Sequence, residues 1–374
     1  MGIYQRKKRT MLMLAVFILT LLPLPAIAAS ETPQQEISLS LEQAIIRALN
    51  NSDSVKKAGA EVERSEEMRD YRAKQLDYLP TAPAYTAVVE VPWARLLSAD
   101  LEWRMNKKGL TAQEDSVAID TCQKYWAILK AQQKLQSAEL ADRAALRQLQ
   151  NAQAASRVGT LAPIGLIGAE SQYQSAQSAF MVAANELEKA YIEFNQLVGL
   201  ASAARPVLSD SLEFSELAID SLDYEVARVL DSAPQVWQAE QMVELQGYLA
   251  DMTLYTGEYQ PYKARQIEKD KAIYNAAATK KLFESNTRSL YYLCKNLEQS
   301  HAALQEGIKV AEENLRIKKI MFDLGMITAS DLAIEEKSLV EARSKAFELT
   351  CTHAYMKLAF QKPWAANASA MSSN

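Results

Sequence analysis

Two short stretches decide the fold: Arg157-Val158-Gly159-Thr160-Leu161-Ala162-Pro163 and Asp323-Leu324-Gly325-Met326-Ile327-Thr328-Ala329. Each places one glycine between two long segments of helical pattern. Glycine accepts the left-handed backbone that ends a helix. Pro163 suits the first turn of the next helix, and Ser330 is a candidate N-cap in the second stretch. Each stretch therefore predicts the tip of a long helical hairpin, and two hairpins indicate a duplicated unit.

The duplication can be followed by its register. Leu41–Asn50 aligns with Leu222–Asp231 at an offset of 181, whereas the tip glycines align at an offset of 166. The offset decreases from 181 to 166 somewhere between Val236 and Tyr291, so the second copy has lost a short piece of chain there. We predict one repeat over residues 29–200 and another over residues 201–362, followed by a disordered tail over residues 363–374.

The N-terminus has the pattern of a signal peptide. A basic segment, Arg6–Arg9, precedes the apolar run Met11–Leu22 and the cleavage signal Ala26-Ile27-Ala28. The apolar run is shorter than the roughly 20 residues that span a bilayer. We predict that residues 1–28 are removed and that the remaining chain is exported.

Composition indicates a helical protein that does not bind nucleic acid. The formal net charge is −5, and removal of the four basic residues in the signal peptide leaves 37 basic against 46 acidic residues. Nucleic-acid binding would favour a basic footprint. Few glycines and prolines, with abundant helix-forming residues, favour an all-helical fold. The three cysteines, Cys122, Cys294 and Cys351, match neither a disulfide framework nor a metal-binding spacing.

The hairpin arms carry heptad patterns. Apolar or small residues recur at alternating steps of three and four, which predicts long helices packed side by side as in a coiled coil. The seams are Tyr173, Ala176, Phe180, Ala183, Leu187, Ala190, Phe194 and Leu197; Leu290, Cys294, Leu297, His301, Leu304, Ile308, Ala311 and Leu315; and Leu332, Glu335, Leu339, Ala342, Ala346, Leu349, His353, Met356 and Phe360.

A different pattern precedes the first long arm. Apolar residues alternate with polar ones from Leu97 to Asn106, which is typical of a β-strand. We therefore expect a short β-hairpin near residues 85–106, with Pro92–Arg95 as its connection. The equivalent part of the second copy, Leu254–Tyr262, offers at most one short strand.

Catalytic motifs are absent from the sequence. The two histidines, His301 and His353, lie on heptad seams, where packing or interhelical hydrogen bonding is their simplest role. No nucleotide-binding, hydrolase or zinc-protease motif occurs. We expect neither enzyme activity nor a cofactor or metal site. Asp331 has two open interpretations, an acid that complements a helix N-terminus and a charge that lines a pore.

The two tips and the leader ends Asn50–Asp53 and Ser232–Pro234 resemble those of the TolC family of outer-membrane efflux and secretion channels, over essentially the whole exported chain. The resemblance implies a homotrimer that forms a helical tunnel, capped by a β-barrel to which each protomer gives two hairpins. It also implies that a membrane-fusion adaptor and an inner-membrane pump dock at the tips. The implied docking residues are Val158, Gly159, Thr160, Leu324, Gly325 and Met326, with Asp331 at the pore entrance.

The sequence departs from the family pattern in two places. The strand signals are too few for a full barrel, so we expect a reduced or missing β-barrel with limited membrane contact. Gly165 and Ile334 stand where family members carry acidic residues near the tunnel entrance. The function implied is an oligomeric conduit in the outer membrane or cell envelope for small molecules or proteins. The alternative is an extracytoplasmic coiled-coil scaffold or adaptor that has lost the membrane pore.

Overall fold

The computed structural model describes residues 38–76 and 86–366, which belong to one compact unit. The predicted signal peptide and residues 367–374 lie outside the described residues. Eight helices and one pair of two-residue strands make up the described fold. They are β1 (Ser38–Leu39), α1 (Leu41–Asn51), α2 (Asp53–Ala73), α3 (Ala87–Arg157), α4 (Pro163–Val198), β2 (Val207–Leu208), α5 (Leu222–Ser232), α6 (Pro234–Asp251), α7 (Tyr262–Asp323) and α8 (Ala329–Gln361).

The leader helices of the two copies begin with the same cap. Ser40 accepts a hydrogen bond from the backbone of Gln43, and Ser221 accepts the equivalent bond from Tyr224. Ser40 and Ser221 are related by the same offset that aligns the two leaders in the sequence. Pro234 begins α6 as expected. The first copy breaks at the same register without a proline, because the Ser52 side chain caps α2.

The two hairpin tips share one backbone geometry. Gly159 and Gly325 adopt φ values of 77° and 70°, the left-handed conformation that the sequence predicted. Beside them, the amides of Thr160 and Met326 donate to carbonyls five residues earlier, over 2.9 and 2.8 Å. Pro163 begins α4, in agreement with its expected place.

The predicted β-hairpin near residues 85–106 is wrong, because residues 87–106 belong to the 71-residue helix α3. Leu97, Leu101 and Met105 are four residues apart, a spacing that satisfies a helix as well as an alternating strand. They pack with α6, whereas Trp103 lies under the guanidinium of Arg69 in α2, 3.9 Å from its ring centroid. A helix that packs between two neighbouring helices carries an apolar stripe on each of two faces. In the sequence, the residues of the two stripes together give the alternation of apolar and polar residues that is typical of a strand.

The chain lost from the second copy is spread over three elements. Helix α6 is three residues shorter than α2, and the connection 252–261 is three shorter than 74–86. Helix α7 is nine residues shorter than α3. The loss therefore shortens the end of the molecule where these helices begin or finish, and leaves the tips unchanged.

The long helices form a layer in the order α4–α3–α8–α7. Helix α3 packs on α4 and α8, and α7 packs on α8, whereas within the described residues α4 and α7 do not pack on each other along their lengths. Several predicted seam residues pack together where α7 meets α8. Ile308, Leu315, Leu339 and Ala346 are buried there, and Leu304, Ala311, Leu332 and Ala342 are partly buried against them. Helices α2 and α6 pack on α3 and α7 toward the end of the molecule away from the tips.

The starts of the two copies are joined by a parallel strand pair. Ser38 pairs with Val207 and Leu39 with Leu208. The buried hydroxyl of Tyr125 donates to the Leu39 carbonyl over 3.1 Å and accepts from the Asp210 amide over 3.0 Å. The linker between the copies, residues 199–221 between α4 and α5, is thereby fixed to the main core.

The predicted disordered tail is wrong over its first four residues. Residues 363–366 form a turn in which Ala365 is buried, and the indole N–H of Trp364 donates to Asp115 over 3.0 Å.

Across residues 38–76 and 86–366, no helix combines the length and the apolar character needed to cross a membrane.

Candidate functional site

The predicted docking residues all lie exposed at helix reversals. Val158, Leu324 and Met326 each expose about two thirds or more of their surface (73%, 69% and 66%). Ile164 in the first turn of α4 adds a further exposed aliphatic side chain. Large apolar groups gathered at an exposed turn are typical of a binding surface rather than of a solvated loop.

Both tips lie at the same end of the molecule. Helices α3 and α8 run antiparallel, with Lys130 3.3 Å from Glu348 and Asp115 2.5 Å from Lys362. This register places the start of α8 beside the last turns of α3. The two glycine turns therefore lie at one end of the molecule. The turn between α3 and α4 comes from the first repeat, and the turn between α7 and α8 comes from the second.

Asp331 is held by a capping box at the start of α8. Thr328, rather than the predicted Ser330, is the N-cap, because its hydroxyl accepts from the Asp331 amide while the Asp331 carboxylate accepts from the Thr328 amide over 2.9 Å. These hydrogen bonds from Thr328 hold the pKa of Asp331 below its usual value. The charge is exposed, and its place at a pore entrance stays a prediction.

The two edge helices differ in charge. Residues 163–185 of α4 contain one charged residue, Glu170, and leave Ile167, Met181 and Val182 half exposed. The last turns of α7 instead carry ion pairs, including Glu313 with Arg316 at 2.6 Å. The two edge helices of the layer thus differ in the chemistry of their exposed residues.

A buried polar cluster, which we call the polar centre, lies where the linker crosses the second hairpin. One carboxylate oxygen of Glu298 accepts from the Leu217 amide over 2.7 Å and lies 3.3 Å from Nε2 of His353. The other oxygen accepts from Lys295 over 2.7 Å. Burial opposes the charged form, but the hydrogen bonds from Lys295 and Leu217 outweigh it, so the pKa of Glu298 is lowered.

Both histidines pack against the linker, a contact that their seam positions did not predict. The Phe214 ring stacks on His301 with 3.6 Å between centroids and contacts His353 at 4.8 Å. Burial lowers the pKa of each histidine. Lys357 completes the polar centre by donating to the Ser215 carbonyl over 2.8 Å. Sequence analysis missed Glu298, whose one signal was a carboxylate beside a seam position.

The described residues offer no catalytic or metal-binding arrangement. No group of three His, Cys, Asp or Glu side chains in residues 38–76 and 86–366 could hold a metal ion. Burial raises the pKa of Cys122 and Cys294 to about 11 and that of Cys351 to about 12. Such thiols are protonated at neutral pH and therefore behave as apolar side chains.

No family model matches the sequence, and no curated protein matches it. Solved structures do. The chain is 12% identical to the Campylobacter jejuni CmeC outer membrane channel, with a TM-score of 0.67 and coverage of 88% of each chain. It is 15% identical to the Neisseria gonorrhoeae MtrE outer membrane channel, with a TM-score of 0.62 and coverage of 87% of this chain and 89% of that one.

A third similar structure is the Vibrio cholerae outer membrane protein VceC, which is 12% identical at a TM-score of 0.62. That match covers 85% of this chain and 95% of the other. Each match covers at least 85% of both chains, so the similarity extends beyond a single helical hairpin. The chain therefore has the fold of the TolC-family outer-membrane channels, as its duplicated tips predicted.

Proposed function

We propose that this chain is the protomer of a conduit in the cell envelope that exports small molecules or proteins. The layer α4–α3–α8–α7 carries the proposal, because within the described residues its two edge helices do not pack on each other along their lengths. A layer that does not close on itself can close when copies join edge to edge in a ring. Repeats over residues 29–200 and 201–362 would each supply one hairpin, and we propose a homotrimer.

The tips are the proposed docking surface. Val158, Gly159 and Thr160 of the first tip, and Leu324, Gly325 and Met326 of the second, would meet a membrane-fusion adaptor, which links the conduit to an inner-membrane pump. Asp331, adjacent to the second tip, would face the tunnel entrance. The exposed aliphatic groups at both turns support this assignment, since helix ends in an adaptor could pack on them.

Ring closure can be tested with cysteines on the two edges. Val182 on α4 and Val310 on α7 are both more than half exposed, and neither side chain lies in a seam. With a thiol-specific cross-linker, the double variant Val182→Cys/Val310→Cys should give covalent dimers and trimers. Each single variant should give no covalent dimers or trimers, because a ring joins α4 of one copy to α7 of the next and the cross-link needs a cysteine on both edges. A monomeric mass in solution without cross-linked products would contradict the proposal.

The docking surface has a separate test. A photoreactive residue in place of Leu324 or Val158 should cross-link to an envelope protein in the host cell, and the charged variants Leu324→Lys and Val158→Lys should abolish function. Ile46→Lys is the matched control, because Ile46 is a half-exposed aliphatic residue on α1. Equal effects of the control and tip variants would argue against docking at the tips.

The scaffold alternative is favoured by one observation, the helical state of residues 87–106, which were expected to form strands. Conductance of the purified protein in liposomes separates the two functions. A conduit produces discrete channel currents, whereas a scaffold forms an assembly without them.

A further inference from the structure

A groove of about 660 Å³ lies over α3, between α4 and α8. Four lysines line it, namely Lys130, Lys134, Lys189 and Lys345. Four glutamates line it as well, and we call the site that these eight residues define the charged groove. The glutamates are Glu186, Glu193, Glu341 and Glu348.

On α4, the charged groove lies on the side opposite to the linker. The guanidinium of Arg205 in the linker lies 5.0 Å from the ring centroid of Tyr191. Lys189 and Glu193 stand two residues before and after Tyr191, and two residues correspond to a rotation of about 200° around a helix. The linker and the groove residues therefore lie on opposite sides of α4.

Helices α3 and α8 have the same orientation. Gln132 of α3 and Phe347 of α8 line a second cavity together with the linker. Lys130 and Lys134 lie two residues on either side of Gln132, and Lys345 lies two residues before Phe347. The charged groove and the linker thus occupy opposite faces of the layer.

Ring closure would place the charged groove on the inner wall of the conduit. The linker adds chain to the other face of the layer, and a curved wall has more room on its outer side. This step rests on the proposed function, because only a closed ring has an inner wall. Residues 163–185, the part of α4 nearer the tips, contain one charged residue, so the charges of α4 are concentrated near the level of the groove.

Charges of opposite sign lie side by side in the charged groove. Nζ of Lys130 lies 3.3 Å from Glu348, and Nζ of Lys134 lies 2.7 Å from Glu186. One pair joins α3 to α8 and the other joins α3 to α4. The groove holds equal numbers of lysines and glutamates, although the whole chain has a net charge of −5. The fields of paired opposite charges largely cancel at distances greater than their separation.

We propose that the charged groove forms an electrically neutral band on the inner wall, so that the conduit accepts cargo of either charge sign. A wall with an excess of one sign would attract cargo of the opposite sign and repel the other class. The cargo class that follows is water-soluble molecules whose net charge can be positive or negative.

The first experiment measures the local potential in the charged groove. Ser344→Cys places a thiol on α8 within the groove, and Cys351→Ala removes the one natural cysteine that is not buried. The thiol is reacted with trimethylammonioethyl or sulfonatoethyl methanethiosulfonate, which carry opposite charges. Each rate is divided by the rate of the same reagent with mercaptoethanol. The two relative rates should agree within about threefold, because the groove is neutral.

Removal of one sign of charge should separate the two rates. In the lysine variant, Lys130→Gln/Lys134→Gln/Lys189→Gln/Lys345→Gln, the cationic reagent should be favoured at least about tenfold. In the glutamate variant, Glu186→Gln/Glu193→Gln/Glu341→Gln/Glu348→Gln, the anionic reagent should be favoured to a similar extent. Circular dichroism should show both variants as helical as the parent, because exposed ion pairs contribute little to stability.

A matched control removes the same charge from the start of α7. It is Lys263→Gln/Lys269→Gln/Lys271→Gln/Lys281→Gln, and it should leave the ratio of rates unchanged. Arg343 of α8 pairs with Glu312 of α7 at 2.7 Å, which gives the level of the groove on α7. Residue 281 lies 312 − 281 = 31 residues from that level, or about 45 Å along the helix. Unequal rates in the parent, or equal rates in the lysine variant, would overturn the proposal.

The second experiment tests the inner wall by conduction. A polyethylene glycol maleimide attached at Ser344→Cys should lower the single-channel conductance, whereas the same label at Ser211→Cys, on the exposed linker, should not. In a salt gradient the parent should show a reversal potential near zero, and the lysine variant should become cation-selective. Equal effects of the two labels, or a strongly selective parent, would overturn the proposal. Absence of channel currents would instead contradict the proposed function and with it the inner wall, while the reagent rates still decide whether the groove is neutral.

Discussion

The middles of the two hairpins are built on the same frame but have different chemistry. Tyr125 contacts Phe194 edge to face with 6.0 Å between ring centroids, and Tyr291 lies 6.3 Å from Phe360. Tyr291 and Phe360 lie 166 residues after Tyr125 and Phe194, which is also the offset between Gly159 and Gly325. The aromatic packing therefore survived duplication along with the tips.

One to two helical turns further toward the tips, the repeats differ. In the first, Gln132 donates to the Tyr191 hydroxyl over 2.9 Å, a neutral contact. The equivalent positions in the second are Glu298 and Lys357, which belong to the polar centre. The linker explains the difference, because Leu217 and Ser215 present backbone groups to these charges. Duplicated helices keep their apolar seams, whereas polar positions adapt to whatever crosses them.

The largest expected effect comes from removing the carboxylate of the polar centre. Glu298→Ala leaves the Leu217 amide and His353 without their partner and Lys295 less well paired. We expect a loss of about 3 kcal/mol in the free energy of unfolding. The matched change, Gln132→Ala, removes a neutral hydrogen bond and should cost about 1 kcal/mol. Urea unfolding at one fixed protein concentration measures both.

Equal losses in these two variants would show that the charge of the polar centre contributes nothing beyond its hydrogen bonds. Glu298→Gln provides a further control, since it keeps the shape and one acceptor but removes the charge.

The second prediction concerns pH. The pKa of His353 is lowered by burial, and that of Glu298 is lowered by its hydrogen bonds, so at each group the unfolded chain binds more protons on acidification. Stability should therefore fall as pH drops below about 6.5, first through His353 and then through Glu298. The variant His353→Gln should reduce the first phase, to which His301 also contributes because burial lowers its pKa as well. Thermal melts between pH 8 and 4 measure it, and an unchanged profile would exclude His353 as its source.

The third prediction concerns the tips, where the repeats should respond alike. Gly159→Ala and Gly325→Ala should each cost about 1 kcal/mol, because alanine disfavours a positive φ although space is free around both glycines. Gly307→Ala is the control: it lies within α7, also in open space, and should stabilise by about 0.5–1 kcal/mol. Clearly different costs at the two tips would reveal a constraint found in one repeat.

The fourth prediction concerns the helix starts beyond the tips, where the effects should be no larger than those at the tip glycines. Thr328→Ala removes the capping box of α8 and should cost about 1 kcal/mol. Helix α4 has Ala162 at the equivalent N-cap and no side-chain cap, so Ala162→Ser should stabilise by up to about 1 kcal/mol. Denaturation midpoints compare the two. A neutral Ala162→Ser would show that Pro163 alone defines this helix start.

Much of the fold could be predicted from local rules. Gly159, Gly325 and Pro163 each have conformational preferences strong enough to mark the tips without knowledge of their neighbours. The seams along α7 and α8 could also be predicted, because a heptad reports contact between helices wherever they pack. The docking role of the tips rests on exposure and resemblance, and it stays a prediction.

The wrong or missing predictions concern residues whose contacts come from distant parts of the sequence. The α3 start was misread because contacts with both α2 and α6 distribute apolar residues over two faces. Trp364 was misread because its partner, Asp115, is 249 residues away. Glu298 was missed for the same reason, since its hydrogen bond to Leu217 spans 81 residues. Thr328 and Ser330 are both acceptable caps by residue type, and the backbone decides between them.

The parallel pair of β1 and β2 has a consequence for the order of folding. Each hairpin forms from contacts between neighbouring helices, but Leu39 precedes the whole first hairpin and its partner Leu208 follows it. Closing so long a loop costs entropy unless the intervening helices have already shortened the span. The pair should therefore form after the first hairpin. The two short strands would then pair only after the first repeat has folded, and would hold the linker to the next repeat against it.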